Sequence, residues 1–211
     1  MTLELRSQLR RDGFAVVRDA TNAGDVQAIR AAMVSIVADD ATVVDLTLTL
    51  RPELLQSHFF RHASMISRQI LGPAAKPYVD RLLIKPPHST QASEWHQDGA
   101  HNRQLFGWIV TNSPRRLHWW LPLQPVNTNN GCMQFVAGSH RGRLLPHVPS
   151  RGGLITTLPA SAVPIPCPLG VGDATVHLLK TLHYAGPNYT DAPRYAWVLQ
   201  FLGEGRIPTI A

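Results

Sequence analysis

From Tyr78 to Leu202 the chain is a succession of short β-rich runs broken by clusters of proline and glycine. The runs are Tyr78–Lys85, a stretch ending at Asp98, Gly107–Thr111, Leu117–Leu123, Met133–Val136, Ala162–Cys167, Ala174–Leu179 and Tyr195–Leu202. Proline and glycine at these intervals leave no room for long helices, and many short strands at fairly regular spacing predict a β-sandwich or barrel. Pro86-Pro87, the turn 127–131 and the proline-rich stretch from Pro146 to Pro168 read as loops, the last long enough to form a flap over a binding site. The first 75 residues have a different texture. Gly13 to Val17 reads as a strand, and Thr21 or Asn22 can cap a helix with Val26, Ile29, Met33, Ile36 and Val37 on one side. A second helix is expected from Pro52, carrying Leu55, Phe59, Ile66 and Ile70 along one stripe and ending at Gly72-Pro73. These helices are expected to pack on the outside of a sheet, with His58 and His62 at their surface or boundary. No repeat or linker marks a second domain. The reading is a single domain, 1–211, with an N-terminal strand and support helices over 1–75 and the β core over 76–211.

Composition narrows the function. At 211 residues, 44% hydrophobic and 16% charged, the chain is expected to be globular. It has no apolar run of bilayer-spanning length, and charges at Glu4, Arg6, Arg10, Arg11 and Asp12 speak against a secretory signal. Two cysteines, Cys132 and Cys167, are too few for a disulfide framework and read as packing residues, so a cytoplasmic location is expected. The net charge of +6 comes as scattered pairs, Arg10-Arg11, Arg115-Arg116 and Arg141 with Arg143, without interleaved aromatics. That pattern points away from nucleic acid and towards a basic surface that draws in an anionic small molecule.

The chemistry concentrates at Trp95-His96-Gln97-Asp98. On an extended strand, residues i and i+2 face the same way, so His96 and Asp98 would stand side by side. A metal then needs one more ligand from elsewhere. Two histidines and one carboxylate with open positions make the facial triad of non-haem Fe(II) oxygenases. A His-x-Asp by itself arises often by chance, so the context decides.

That context resembles the phytanoyl-CoA dioxygenase family of Fe(II)- and 2-oxoglutarate-dependent oxygenases. The pieces occur in order: Gly13-Phe14-Ala15-Val16-Val17, Lys85-Pro86-Pro87, His96-Gln97-Asp98, Asn129-Asn130-Gly131, Gly138-Ser139-His140-Arg141, Gly172-Asp173, His183, and Arg194 eleven residues later. The resemblance implies a double-stranded β-helix, or jelly roll, in agreement with the strand-rich reading. It implies that His96, Asp98 and His183 hold Fe(II) and that Arg194 grips the distal carboxylate of 2-oxoglutarate, a planar two-pronged match that lysine would not make. It places Trp120 beside the cosubstrate, with Trp119 facing the other way. It also implies that O2 is the second cosubstrate, and that succinate and carbon dioxide leave as a C–H bond is oxidised. The carboxylate at Asp98 favours hydroxylation over halogenation, since related halogenases carry a small residue there; desaturation, ring formation and epimerisation begin with the same hydrogen abstraction and stand as alternatives. One position departs from the family: Ala185 stands where a hydroxyl residue often helps to hold the cosubstrate, and Arg81 is the proposed substitute donor. The chain is also short for the family, which predicts a trimmed lid or a second subunit that closes the site as a homodimer.

The remaining candidates have milder readings. His177 reads as a buried histidine satisfied by backbone, ahead of a second-sphere or ligand role. His140 is expected to pin the Gly-Ser-His-Arg turn. His101, Asn102 and Arg103 lie where a substrate would pass, though a solvated loop is an equal alternative. Trp108, Trp119 and Trp197 are expected in the core, and Arg115-Arg116 in an exposed turn. The substrate, a small molecule of anionic or amino-acid-like character, would be chosen by loops 86–94, 99–115 and 143–161. Against the oxygenase stand a zinc or manganese hydrolase or isomerase using the same triad, which gives Arg194 no role, and a non-catalytic binding jelly roll.

Overall fold

The computed structural model describes residues 2–38, 41–100, 116–150 and 153–203. Helix α1 (Thr2–Asp12) leads into strand β1 (Phe14–Val17), helix α2 (Ala23–Val34), strand β2 (Val43–Asp45), and helices α3 (Thr47–Leu50) and α4 (His58–Leu71). The strands that follow are β3 (Lys76–Lys85), β4 (Ser93–His96), β5 (Arg116–Pro122), β6 (Met133–Val136), β7 (Val148–Ser150), β8 (Gly153–Ile155), β9 (Pro164–Cys167), β10 (Ala174–Leu178), β11 (His183–Ala185) and β12 (Arg194–Leu202). They form an antiparallel sheet in the order β1-β10-β5-β12-β3-β2 and a smaller one in the order β4-β11-β6-β9. Sequence neighbours are dealt out between the two sheets, as the jelly roll requires. The first 75 residues contribute β1 and β2 to the larger sheet.

Side-chain alternation decides what each face does. On β5, Leu117, Trp119 and Leu121 point outwards into the cluster beneath the helices, while Trp120 points into the space between the sheets. On β12, Trp197, Leu199 and Phe201 go out, and Ala196 and Val198 go in. Both faces of β5 are therefore covered, and every residue of it is buried. The helices lie against the outer face. Phe59 of α4 is fully buried between Trp119 and Trp197, with ring centroids 6.1 and 5.6 Å away. Trp119 and Trp197 satisfy their indole N–H groups on Ser67 Oγ at 3.0 Å and Thr47 Oγ1 at 3.1 Å. Asn22 caps α2 by accepting from the Asp25 N–H at 2.9 Å. Asp25 in turn accepts from the His58 and Phe59 N–H groups at the start of α4 at 3.0 and 2.9 Å. A carboxylate at that positive helix end ties the two helices together.

Several expectations change in detail. Pro52–Gln56 is a 3-10 turn that ends at Ser57, whose hydroxyl caps α4 on the Phe60 N–H at 3.2 Å. Leu54 is buried while Leu55 is exposed, and α2 ends before Ile36 and Val37. The stretch 146–168 is not a bare loop: it holds the β7–β8 hairpin, and Thr156 N–H bonds the Trp95 carbonyl at 2.8 Å. Arg116 is buried, not in an exposed turn, with its guanidinium 4.4 Å above the Tyr78 ring. The expected strand Gly107–Thr111, Trp108 and Arg115 lie outside the described residues. Gly172 adopts φ +90°, and a Cβ there would meet the Thr21 carbonyl oxygen at 2.3 Å. The neighbouring Asp173 accepts from the Asp19 N–H at 3.0 Å and from Arg18 Nη1 at 2.6 Å, so this motif shapes a turn. Among the described residues, no helix is long and apolar enough to cross a membrane.

Truncating Phe59 should create a cavity that three packed elements cannot collapse into. Phe59→Ala is expected to cost about 3–5 kcal/mol of unfolding free energy in a denaturant titration.

Candidate active site

His183 opens β11 directly opposite His96, the last residue of β4, in antiparallel register, so the smaller sheet brings the two histidines together from 87 positions apart. Their ring centroids are 4.1 Å apart. Each is fixed the same way. His96 Nδ1 donates to the Glu94 carbonyl at 2.6 Å and His183 Nδ1 to the Thr181 carbonyl at 2.8 Å. That leaves both Nε2 atoms turned to Asp98, 3.8 Å from Oδ1 and 3.7 Å from Oδ2 respectively. His96, Asp98 and His183 present donor atoms within 4.8 Å of one another, close enough to hold one metal ion.

The pair does not arise from a continuous strand. Strand β4 stops at His96, and the backbone turns at Asp98, with Ala100 N–H donating to the Gln97 carbonyl at 2.9 Å. Gln97 anchors the turn. Only 1% exposed, it donates through Nε2 to the Lys180 carbonyl at 2.7 Å and accepts the Leu145 N–H at 2.8 Å. Its own N–H donates to His147 Nε2 at 3.1 Å.

Two further histidines surround the carboxylate from the larger sheet. His118 Nδ1 lies 2.7 Å and His177 Nε2 3.1 Å from Asp98 Oδ2. His177 is therefore satisfied by Asp98, not by backbone. His118 was not among the sequence candidates. Its parity with Trp120 in Leu117-His118-Trp119-Trp120 is the signal that would have turned it inwards.

Burial sets the charge states. It pushes His96, His177 and His183 down to about 4, so all three are neutral imidazoles near pH 7. Burial opposes the Asp98 charge, but the surrounding imidazoles and their hydrogen bonds hold its carboxyl well below the usual range. Neutral imidazoles and an ionised carboxylate are the forms that bind a metal.

Arg194 begins β12 on the inner face of the larger sheet and is 2% exposed. Its guanidinium carbon lies 5.6 Å from the Trp120 ring centre. Among the described residues its Nε and Nη1 have no hydrogen-bond partner. Burial lowers it only to about 10, so the charge persists. A buried, charged fork with open donors is suited to a carboxylate. The residue opposite it in register is Lys85, whose Nζ donates to the carbonyls of Gln91, Ala185 and Gly186 at 3.1, 2.8 and 2.5 Å. Burial and the Arg194 charge push Lys85 down to about 7, a cost that the three carbonyls offset. The cation beside Ala185 is thus Lys85. Arg81 lies further along β3, paired with Asp45 through Nε–Oδ1 at 3.1 Å. Gly131 permits the approach of the following segment, since a Cβ there would meet the Gly186 carbonyl oxygen at 2.4 Å.

The outer candidates resolve simply. His140 Nε2 donates to the Arg10 carbonyl at 3.2 Å and ties its turn to α1. Cys132 and Cys167 are buried free thiols, and burial pushes Cys167 up to about 12. His101, Asn102 and Arg103 lie outside the described residues.

With this geometry in view, the family assignment is direct. The family model of phytanoyl-CoA dioxygenase matches residues 9–196. The chain belongs to the phytanoyl-CoA dioxygenase family. Human peroxisomal phytanoyl-CoA dioxygenase is 24% identical over 171 residues, which cover 70% of this chain and 50% of the human protein. The chain spans about half the length of the curated relatives it matches. Among solved structures, EvdO2 from Micromonospora carbonacea var. aurantiaca, complexed with 2-oxoglutarate, superposes with a TM-score of 0.83 at 29% identity. That match covers 98% of this chain and 92% of EvdO2. The non-heme monooxygenase ThoJ gives a TM-score of 0.70 at 25% identity, over 94% and 77% of the two chains. As in these members of the phytanoyl-CoA dioxygenase fold, the architecture is a jelly roll.

The histidine environment makes the metal-free chain acid-labile. Folded values near 4 against an ordinary 6.5 mean that the unfolded chain takes up protons first as pH falls through that window. The depressed Asp98 value acts in the same direction below the ordinary carboxylate range. Stability should therefore be fully expressed above about pH 6.5 and decline towards pH 4. Thermal melts of metal-free protein at stepped pH check this, with His177→Gln expected to flatten the decline.

Proposed function

We propose that the protein is an Fe(II)- and 2-oxoglutarate-dependent oxygenase that hydroxylates, or otherwise oxidises at, an unactivated C–H bond of a small-molecule metabolite in a biosynthetic tailoring step. The observation that carries this is the conjunction of a His-Asp-His metal set, its histidines on the smaller sheet, with a buried arginine fork left open, among the described residues, on the inner face of the larger sheet. His96, Asp98 and His183 would hold the iron, and Arg194, flanked by Trp120, would take the far carboxylate of 2-oxoglutarate. When bound, iron and 2-oxoglutarate supply the oxidising chemistry, consuming O2 and releasing succinate and carbon dioxide.

The chain's own work is orientation and exclusion of water. Backbone carbonyls hold the two imidazoles by Nδ1, so Nε2 faces the metal side in each. Phe135, Trp120 and Val198 line the space between the sheets with apolar surface, which strengthens charge interactions inside it. Lys85 braces the backbone after His183 where the family's hydroxyl side chain is replaced by Ala185. The 2-oxoglutarate held by EvdO2, at 29% identity, supports the cosubstrate. A hydrolase or isomerase on the same triad would leave the buried Arg194 donors without purpose, which disfavours it.

Anaerobic addition of Fe(II) and 2-oxoglutarate should produce the weak visible charge-transfer band of the chelate. His96→Ala, Asp98→Ala and His183→Ala are expected to abolish it. Arg194→Ala should retain metal but bind 2-oxoglutarate about 10–100-fold more weakly, from the loss of charge-assisted hydrogen bonds. Wild-type cosubstrate affinity in the Arg194 variant would refute the assignment. Hydroxylation is read separately, from the mass gained by candidate substrates under O2.

A further inference from the structure

The inner face of the larger sheet carries two histidines that the proposed function leaves unused. His118 on β5 and His177 on β10 stand directly opposite each other in register, each 3% exposed. Both converge on one atom, Asp98 Oδ2, at 2.7 and 3.1 Å. The other oxygen, Oδ1, faces His96 Nε2 at 3.8 Å, and His183 Nε2 stands 3.7 Å from Oδ2, beyond hydrogen-bond reach. The far nitrogens, His118 Nε2 and His177 Nδ1, are buried without a hydrogen-bond partner among the described residues. A histidine kept only for packing would use its second nitrogen on backbone or water. Among the described residues each ring is satisfied on its Asp98 side, and that contact is what the two rings are placed to make.

The geometry points to His118 and His177 as positioning residues that clamp Asp98 Oδ2 with two N–H donations, so that the carboxylate offers the metal Oδ1 alone. This rests on the metal site proposed above. Asp98 needs such a clamp because it sits beyond the end of β4, where no strand pairing fixes its side chain. A carboxylate free to turn could engage a metal through both oxygens and occupy a position that the cosubstrates require. Groups that orient a ligand from behind are typically worth 10–100-fold in metal affinity.

The two contacts use different ring nitrogens, and that makes the proposal testable atom by atom. An asparagine amide nitrogen falls near a histidine Nδ1, and a glutamine amide nitrogen near Nε2. His118→Asn and His177→Gln therefore keep the donor, whereas His118→Gln and His177→Asn misplace it. Fe(II) affinity is measured anaerobically on the full chain by chelator competition, and coordination is followed by the visible spectrum of bound Co(II). His118→Ala and His177→Ala should bind Fe(II) about 10–100-fold more weakly and shift the Co(II) spectrum, with one metal per chain throughout. His118→Asn and His177→Gln should restore most of both readouts, and the swapped amides should not. Where an alanine variant does not fold, the amide pair at that position decides.

Alanine variants that bind as wild type, or rescue indifferent to amide position, would overturn the clamp while leaving the metal site standing. So would a second equivalent of Co(II) in the wild type that His118→Ala removes, since the trio of Asp98, His118 and His177 is itself close enough to hold a cation. A wild-type chain that takes up neither Fe(II) nor Co(II) would overturn the proposed function and the clamp together.

Discussion

A single carboxylate buried among four imidazoles is the constraint on which this molecule turns. Asp98 is reached by His96 and His183 from the smaller sheet and by His118 and His177 from the larger one. An ionised group in that position is tolerable only if its partners stay in place, because an uncompensated buried charge costs several kcal/mol. The partners that donate to it are the cross-strand pair His118 and His177. The register of β5 and β10 is thus held by these contacts as well as by the apolar faces. The same atoms that would serve chemistry also join the two halves of the jelly roll.

Much of the fold was legible because alternation is clean where both faces are buried. Leu117-His118-Trp119-Trp120-Leu121 sends consecutive tryptophans to opposite sides, as a strand must. Met133–Val136 was readable to the residue. Short or polar elements were not. Strand β11 has three residues, too few for any periodic signal, and is held by pairing on both edges. Helix α1 carries Arg6, Arg10 and Arg11, which stood out as charge and hid Leu5 and Leu9, buried against the core. The expected helix from Pro52 breaks at Ser57 because a serine hydroxyl and the Asp25 carboxylate make a better start two residues before Phe59.

For the site, motif order singled out His96, Asp98, His183 and Arg194, and the structure brings the first three together and sets the fourth on the inner face of the larger sheet. The His-x-Asp spacing does not work through one continuous strand: a strand end followed by a turn brings the pair together, with Gln97 buried between them. Spacing cannot show what tertiary pairing supplies. His118 looked like one more member of an apolar run. His177 looked like an ordinary core histidine. Lys85 looked like part of a loop signature, although it sits opposite Arg194 and braces the chain after His183.

The Gln97 bridge constrains any redesign of the segment before β7. Its amide joins Lys180 to Leu145, and its backbone leans on His147, both in the stretch beside the β7–β8 hairpin. A transplant of that stretch that ignored Leu145 and His147 would loosen the peptide between His96 and Asp98, so the segment before β7 and the turn that carries Asp98 have to be exchanged as one piece.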